Sequence, residues 1–363
     1  MEEVNKNISQ PTNNPDGNER VEKTQSGGIS RRTVIKALAG VPVAGLFGFN
    51  LLKKNNYEKN KRNDILKELG FDQMEFPVPD YGNKAPKEII RIGFIGFGTR
   101  AQALAKGLGF IHPDEMIRLK KNNSLVNWLE QENLHVSITG ICDVFDLHAE
   151  KGIVTADNNI FSGTKQYPVK RYLHYQDMLA DKDIDAVVIA TPDHHHALMA
   201  IEAAKANKHV YLEKSVAHSE EELNELYKVI KSSNITFQLG HQITQSTVFK
   251  QAKEIIDKDI LGKITLVQTT TNRNTSEGAW IRHLDSKGNP KPGNDRNIDW
   301  KQWLGTTPFV PFSIERFYNW TQWFAYDTGM IGQLFTHEFD AVNQLLRLGI
   351  PKSVSSSGGI YYW

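Results

Sequence analysis

Residues 89–101 read IIRIGFIGFGTRA, and the reading of this stretch decides the fold. Ile89 to Ile95 form a short apolar, β-branched run bounded by polar residues, the pattern of a buried parallel strand. The run passes straight into Gly96, Gly98 and Ala101, a G-x-G-x-x-A that opens a helical pattern. The glycines allow a tight turn and the close approach of a pyrophosphate, whose charge would rest on the helix N-terminus. Alone the motif is weak; its place between a strand and a helix makes it a dinucleotide fingerprint.

A second strand, HVSITGICD, ends at Asp143, 47 residues after Gly96, where the usual spacing is about 20. The excess is attributed to an inserted helix over 113–133, which carries Ile117, Leu119, Val126 and Trp128 among its apolar residues. Asp143 either accepts hydrogen bonds from both adenosine ribose hydroxyls or is a solvated residue at a strand end. In the first case its charge would repel a 2′-phosphate, so NAD rather than NADP is the cofactor expected.

Further strands are read at 184–191 (IDAVVIAT), 209–214 (HVYLEK) and 235–242 (ITFQLGHQ). Helices follow Pro192, where Asp193 is placed as a cap, and span 219–232. This alternation argues for an α/β fold, a doubly wound parallel sheet with right-handed crossovers. Its ligands should lie at the carboxyl ends of the strands, where Gly96, Asp143, Thr191, Lys214 and Gln242 all fall. Gly98, Thr99, Arg100, Ala101, Pro192, His195 and Glu213 complete the candidate cofactor-binding set.

Adjacent side chains point about 100° apart on a helix and to opposite faces on a strand, so His194, His195 and His196 do not jointly chelate one ion. No other metal-ligand spacing is present, and no metal is expected. The lone Cys142, inside the apolar ITGIC, reads as an inert buried thiol.

Three blocks, RIGFIGFGTRA, VVIATPDHHHALMAIEAAKANKHVYLEKS and AYDTGMIGQLFTHEFD, together resemble the Gfo/Idh/MocA family, the relatives of glucose-fructose oxidoreductase and inositol dehydrogenase. The resemblance runs from about residue 89 to the end, and the TPDHHHA-to-EKS block is its specific part. It implies an NAD(P)-binding Rossmann domain over 89–242. Over 243–363 it implies an α/β domain whose open, mainly antiparallel sheet shields the nicotinamide, binds a small carbohydrate-like substrate and often packs against a second copy, making a homo-oligomer. The activity implied is NAD(P)-dependent hydride transfer at a hydroxyl carbon of a sugar, polyol or derivative.

In the family an E-K-P motif sets a lysine beside the nicotinamide, and here Glu213, Lys214 and Ser215 stand in it. Hydride leaves a carbon while a proton leaves the hydroxyl oxygen, so the chemistry needs such a group. A neighbouring cationic NAD⁺ would disfavour the lysine's own charge. Without its surroundings Lys214 reads as a surface lysine. The family also shows an aspartate four residues before a histidine, one helical turn apart on one face. His337 matches that histidine, a candidate to bind or deprotonate the substrate hydroxyl, and also reads as a core histidine. Gln333 stands in place of the aspartate. An amide positions a hydroxyl or an imidazole but exchanges no proton at neutral pH, which leaves Lys214 and His337 as the catalytic candidates. Gln333, Asp340 and Arg273 are the substrate-binding candidates.

Residues 300–326 hold ten of the chain's 35 aromatic residues. Most should be core, with one or two lining a carbohydrate site. Strands are expected over 264–272 and 353–362. Because two strands rarely make a sheet alone, this domain is expected to be truncated or to be completed by a partner chain.

Ahead of the fingerprint, residues 1–29 are polar and read as disordered. SRRTVIK and the uncharged ALAGVPVAGLFGFNLL, residues 30–52, resemble a twin-arginine export signal. The alternative is a cytosolic amphipathic helix with two incidental arginines. A linker over 53–88 follows. The export reading implies the Tat machinery as a partner, and a protein that is periplasmic or tethered by an uncleaved signal. With 43 basic and 42 acidic residues the net charge is +1, so no global field gathers nucleic acid.

Three functions remain open. The first is an NAD-dependent dehydrogenase acting on a carbohydrate. The second, as in some relatives of the family, is a glycoside-cleaving enzyme that uses bound NAD transiently, oxidising a ring hydroxyl so that the glycosidic bond eliminates. The third is a non-catalytic nucleotide-binding protein.

Overall fold

The computed structural model describes residues 89–161, 167–242, 246–271, 279–284 and 293–358. The polar segment, the export signal and the linker read ahead of residue 89, and Arg273, lie outside the described residues. From the fingerprint onward the order is β1 (Ile90–Ile95), α1 (Thr99–Gly107), α2 (Pro113–Lys121), α3 (Leu125–Leu129), β2 (Val136–Cys142), α4 (Asp146–Ala156), β3 (Lys170–Tyr172) and α5 (Tyr175–Ala180). Then come β4 (Ala186–Ile189), α6 (His196–Lys205), β5 (His209–Glu213), α7 (Glu220–Ser232) and β6 (Phe237–Gly240).

The six strands form one sheet ordered β3-β2-β1-β4-β5-β6, and every neighbouring pair is parallel. This is the doubly wound order, and its reversal between β1 and β4 is where such sheets bind ligands. All seven residues of β2 are buried, as a strand covered on both faces requires. On one face Phe94, Phe97, Ile138, Ala101 of α1 and Ala149 of α4 pack together. On the other, Ile95, Ile189 and Leu212 meet Met178 of α5, Met199 of α6 and Leu226 of α7.

The inserted region is two helices rather than one. Asn123 takes a left-handed φ of 53° between α2 and α3, which ends the first helix, and Trp128 then ties α3 to the end of α1 by donating Nε1–H to the Lys106 carbonyl at 3.0 Å. The short edge strand β3 has no apolar pattern, since two of its three residues are exposed.

Among the described residues four further α-helices follow: α8 (Thr247–Asp257), α9 (Trp300–Leu304), α10 (Ile314–Tyr318) and α11 (Thr336–Leu346). Helices α8 and α11 pack together. The strands expected over 264–272 and 353–362 differ from what is found: 264–271 and 353–358 have no strand pairing, and Leu266 and Val354 are 74% and 82% exposed. A strand is held by a neighbour's hydrogen bonds, and among the described residues neither segment has such a neighbour. The aromatic stretch is mostly core, as its composition led one to expect. Trp300 and Trp303 stack at 4.5 Å and join Phe145, Phe317, Tyr318 and Tyr326 in a third cluster. That cluster lies over the end of β2, where the Asp299 N–H donates to the Val144 carbonyl at 2.8 Å.

Candidate cofactor and active site

A cavity of about 740 Å³ opens at the carboxyl end of the sheet. Its walls include Gly96, Gly98, Thr99, Arg100, Asp143, Thr191, Pro192, His195, Glu213, Lys214, Gln242, Gln333 and His337. Ala101 is not among them: it is fully buried in the core, so its part in the fingerprint is to let α1 pack closely on the sheet. Asp340 also lies outside the lining, 3.9 Å from Nδ1 of His241, and accepts from Gln344 at 2.8 Å.

Gly96 needs to be glycine twice over, since its φ is +82° and a Cβ there would sit 2.8 Å from the Ala190 carbonyl oxygen. Helix α1 begins at Gly98 without a side-chain cap and has no acidic residue in its first turn. Its first N–H groups thus lack a side-chain acceptor, the arrangement a pyrophosphate fills. Asp143 accepts from the Phe97 N–H at 2.5 Å and the Phe145 N–H at 2.8 Å, which pins the glycine turn to the end of β2. With its side chain only 7% exposed, Asp143 is not a solvated strand-end residue. His148, 3.6 Å from the same carboxylate, also lines the cavity; nothing in its sequence context marks it. The residues present therefore fit a dinucleotide.

At the end of β5, the buried Glu213 carboxylate is held by Arg100 Nε at 2.6 Å, Gln242 Nε2 at 3.3 Å and the Tyr211 hydroxyl at 3.3 Å. Lys214 follows, joined to Ser215 by a cis peptide bond. Its Nζ donates to Gln333 Oε1 at 2.5 Å and to the Gln333 backbone oxygen at 3.3 Å. Burial pushes the Lys214 amine down from the ordinary lysine value, against the opposing charges of Asp193, Glu213 and Asp327.

Gln333 does not stand in for an acid beside His337: among the described residues no hydrogen bond joins the two. The helix that carries them starts as a π turn over Ile331–Phe335, whose wider hydrogen-bond spacing breaks the one-face relation that an α-helix gives residues four apart. Gln333 Nε2 instead donates to Asp193 at 3.0 and 3.1 Å and to Asp327 at 2.6 Å. The turn reaches this position because residue 332 is glycine; a Cβ there would overlap Thr328 Oγ1 and meet Ser215 Oγ at 2.5 Å. Asp193 is not a helix cap. It accepts from the Thr328 N–H and hydroxyl at 3.2 and 2.6 Å. Asp327 was not among the sequence candidates, because its role depends on burial beside a carboxyl group 134 positions away. Burial, and then the charge of Asp193, push Asp327 up to about 6.

His337 lines the cavity with its buried Nδ1 unpaired. Burial and the nearby Lys214 push its pKa down. The three consecutive histidines serve as internal hydrogen-bonding groups. His194 and His195 each direct Nε2 to the Trp303 carbonyl, at 2.9 and 2.8 Å. His196 spans the Ser215 carbonyl at 2.5 Å and the Thr191 carbonyl at 2.9 Å. His195 thus borders the cavity with Nε2 already engaged, and burial pushes its pKa down to about 3. Burial also pushes the Cys142 thiol up to about 12, in keeping with an inert role. Trp280, Arg282, Trp303, Tyr318 and Trp320 also line the cavity.

The parallel sheet, the uncapped glycine turn and the carboxylate after β2 define a dinucleotide-binding Rossmann domain. Residues 90–241 match the family model described as Gfo/Idh/MocA, oxidoreductase family, NAD-binding Rossmann fold. The chain is 29% identical over 195 residues to levoglucosan dehydrogenase of Pseudarthrobacter phenanthrenivorans, a match covering 51% of this chain and 41% of that one. It is 30% identical over 203 residues to a glycosyl hydrolase family 109 protein of Shewanella baltica, covering 53% and 35%. Among solved structures, myo-inositol 2-dehydrogenase from Lactobacillus plantarum superposes with a TM-score of 0.37 at 25% identity, over 49% of this chain and 43% of that one. The chain spans less than half the length of the curated relatives it matches.

Proposed function

We propose that this chain is part of an NAD-dependent oxidoreductase of the Gfo/Idh/MocA family that transfers hydride between the nicotinamide and a hydroxyl carbon of a sugar, polyol or derivative. The observation that carries this reading is Lys214, half-buried on the cavity wall at the end of β5 and fixed there by Gln333. An amine whose charge is disfavoured by burial is better suited than an ordinary lysine to take a hydroxyl proton. His337 stands on the same cavity as a second group able to bind that hydroxyl. NAD, when bound, supplies the hydride acceptor. Gly96 and the start of α1 would hold its pyrophosphate, Asp143 its adenosine ribose, and the aromatic wall would exclude water. The relation to levoglucosan dehydrogenase supports a carbohydrate-like substrate. The test is NADH formation from NAD with a panel of hexoses, polyols and anhydrosugars. Turnover with at least one class, lost in Lys214→Ala, is expected; failure of every class would overturn the reading.

A second reading, glycoside cleavage through transient oxidation by bound NAD, is supported by the glycosyl hydrolase family 109 relative. It predicts aryl-glycoside cleavage without net NADH. We also propose that residues 30–52 direct twin-arginine export, a reading supported by the SRRTVIK motif. Replacing Arg31 and Arg32 with lysine is expected to hold the protein in the cytoplasm, and unchanged export would refute it.

A further inference from the structure

Behind Lys214 stand two carboxyl groups that the proposed proton transfer does not use. Asp193 and Asp327 are 1% and 2% exposed. The Gln333 amide nitrogen carries two hydrogens, and these two carboxylates receive them, Asp327 at 2.6 Å and Asp193 at 3.0 and 3.1 Å. Carboxylate oxygens only accept. The amide nitrogen is thereby fixed on the acid side and its oxygen on the Lys214 side, where Nζ donates to Oε1 and to the backbone oxygen of the same residue. Ammonium and neutral amine alike can make both bonds. What remains is the third position on the nitrogen, a proton in one form and a lone pair in the other.

The acids are themselves held from behind. Asp327 accepts from the Gly329 N–H at 2.9 Å. Asp193 accepts from Thr328, whose hydroxyl lies 2.8 Å from that of Ser215. Ser215 and Gln333, the two departures from the family motifs, therefore belong to one network. A carboxylate at 333 would set a third acid against Asp193 and Asp327 with no donor between them, whereas the amide supplies the donors.

We propose that Asp193 and Asp327 are positioning residues for Lys214, which by holding the Gln333 amide in one orientation leave a single, directed proton-exchanging position on Nζ. The proposal rests on Lys214 as the proton-exchanging group, but its consequence for how the amine titrates needs no reaction. The charged and titratable groups facing Lys214 are Asp193, Glu213, Asp327 and Arg100, with His241 and His337 beyond. Asp327→Asn removes one negative charge. Its amide accepts on one atom where the carboxylate accepts on two, so either the bond from the Gly329 N–H or the bond from Gln333 Nε2 is lost and the hold on the Gln333 amide weakens. The lost negative charge disfavours the ammonium.

The test is competitive acetylation of the full chain with acetic anhydride across pH, without NAD or substrate, reading Lys214 by peptide mass spectrometry. The Lys214 midpoint is expected to fall by at least about one pH unit in Asp327→Asn, and in the same direction in Asp193→Asn, while exposed Lys120 stays unchanged. A midpoint that is unmoved or raised in folded variants overturns the proposal. Should neither variant fold, the unaltered chain decides: the Gln333 side-chain amide hydrogens should exchange at least about tenfold more slowly than those of an exposed glutamine, and equally fast exchange overturns it. Failure of the function reading itself would appear separately, as NADH formation that survives Lys214→Ala.

Discussion

Lys214 Nζ donates to the side-chain oxygen of Gln333 at 2.5 Å across 119 positions of sequence. This contact joins the end of β5 to the π turn before α11, and it decides which groups serve the cavity. The lysine and the amide are joined as one unit, while among the described residues no hydrogen bond joins His337 to either.

Replacing Lys214 with alanine is expected to lower the rate of NADH formation by roughly 10²- to 10⁴-fold, the usual worth of a positioned acid or base. NAD affinity should stay within a few-fold. Because the base must be neutral to take a proton, the unaltered rate should rise with pH, with a midpoint below the ordinary lysine value. Steady-state kinetics across pH, with NAD binding measured separately, check this.

Gly332→Ala should destabilise the fold by roughly 1–3 kcal/mol, the cost of overpacking a tight site. The added methyl would meet the Thr328 and Ser215 hydroxyls. Gly98→Ala has open space around its Cβ and should leave the urea midpoint nearly unchanged.

Asp327 titrates near 6 in the folded chain, above the ordinary value of 3.8. A carboxyl group raised on folding favours the folded state most when it is protonated. Its contribution is fully present below the ordinary carboxylate value and is lost as pH rises through about 6. Urea unfolding from pH 4 to 8 should show this loss in the unaltered protein and not in Asp327→Asn. Parallel curves for the two proteins would refute it.

The sheet was legible because each strand is a continuous apolar run bounded by polar residues, and the glycine turn marks where the first one ends. The places of Asp143 and Lys214 at strand ends were legible for the same reason, whereas a role for Lys214 came only from the family resemblance. Gln333 was seen as an anomaly but given the wrong neighbour, since a helical period assumes an α-helix and the chain forms a π turn there. Asp327 and Thr328 carried no local signal. Their roles arise where the segment before α11 meets the turn after β4, a contact that no periodicity encodes.

Asp143→Ala should weaken NAD binding by at least about tenfold, corresponding to about 1.4 kcal/mol, and raise the affinity for NADP relative to NAD. The substitution removes the acceptor of two backbone N–H groups as well as the charge that would face the ribose. Fluorescence titration with both nucleotides reads the ratio.

The glycine turn and the cavity above it are expected to form the NAD site. Calorimetric titration of NAD into the unaltered chain and into Gly96→Val tests it most directly. Binding of one NAD per chain, abolished in a Gly96→Val variant that retains the unaltered circular dichroism spectrum, is the predicted result. Equal binding by the two proteins, or none by the unaltered chain, would contradict the claim.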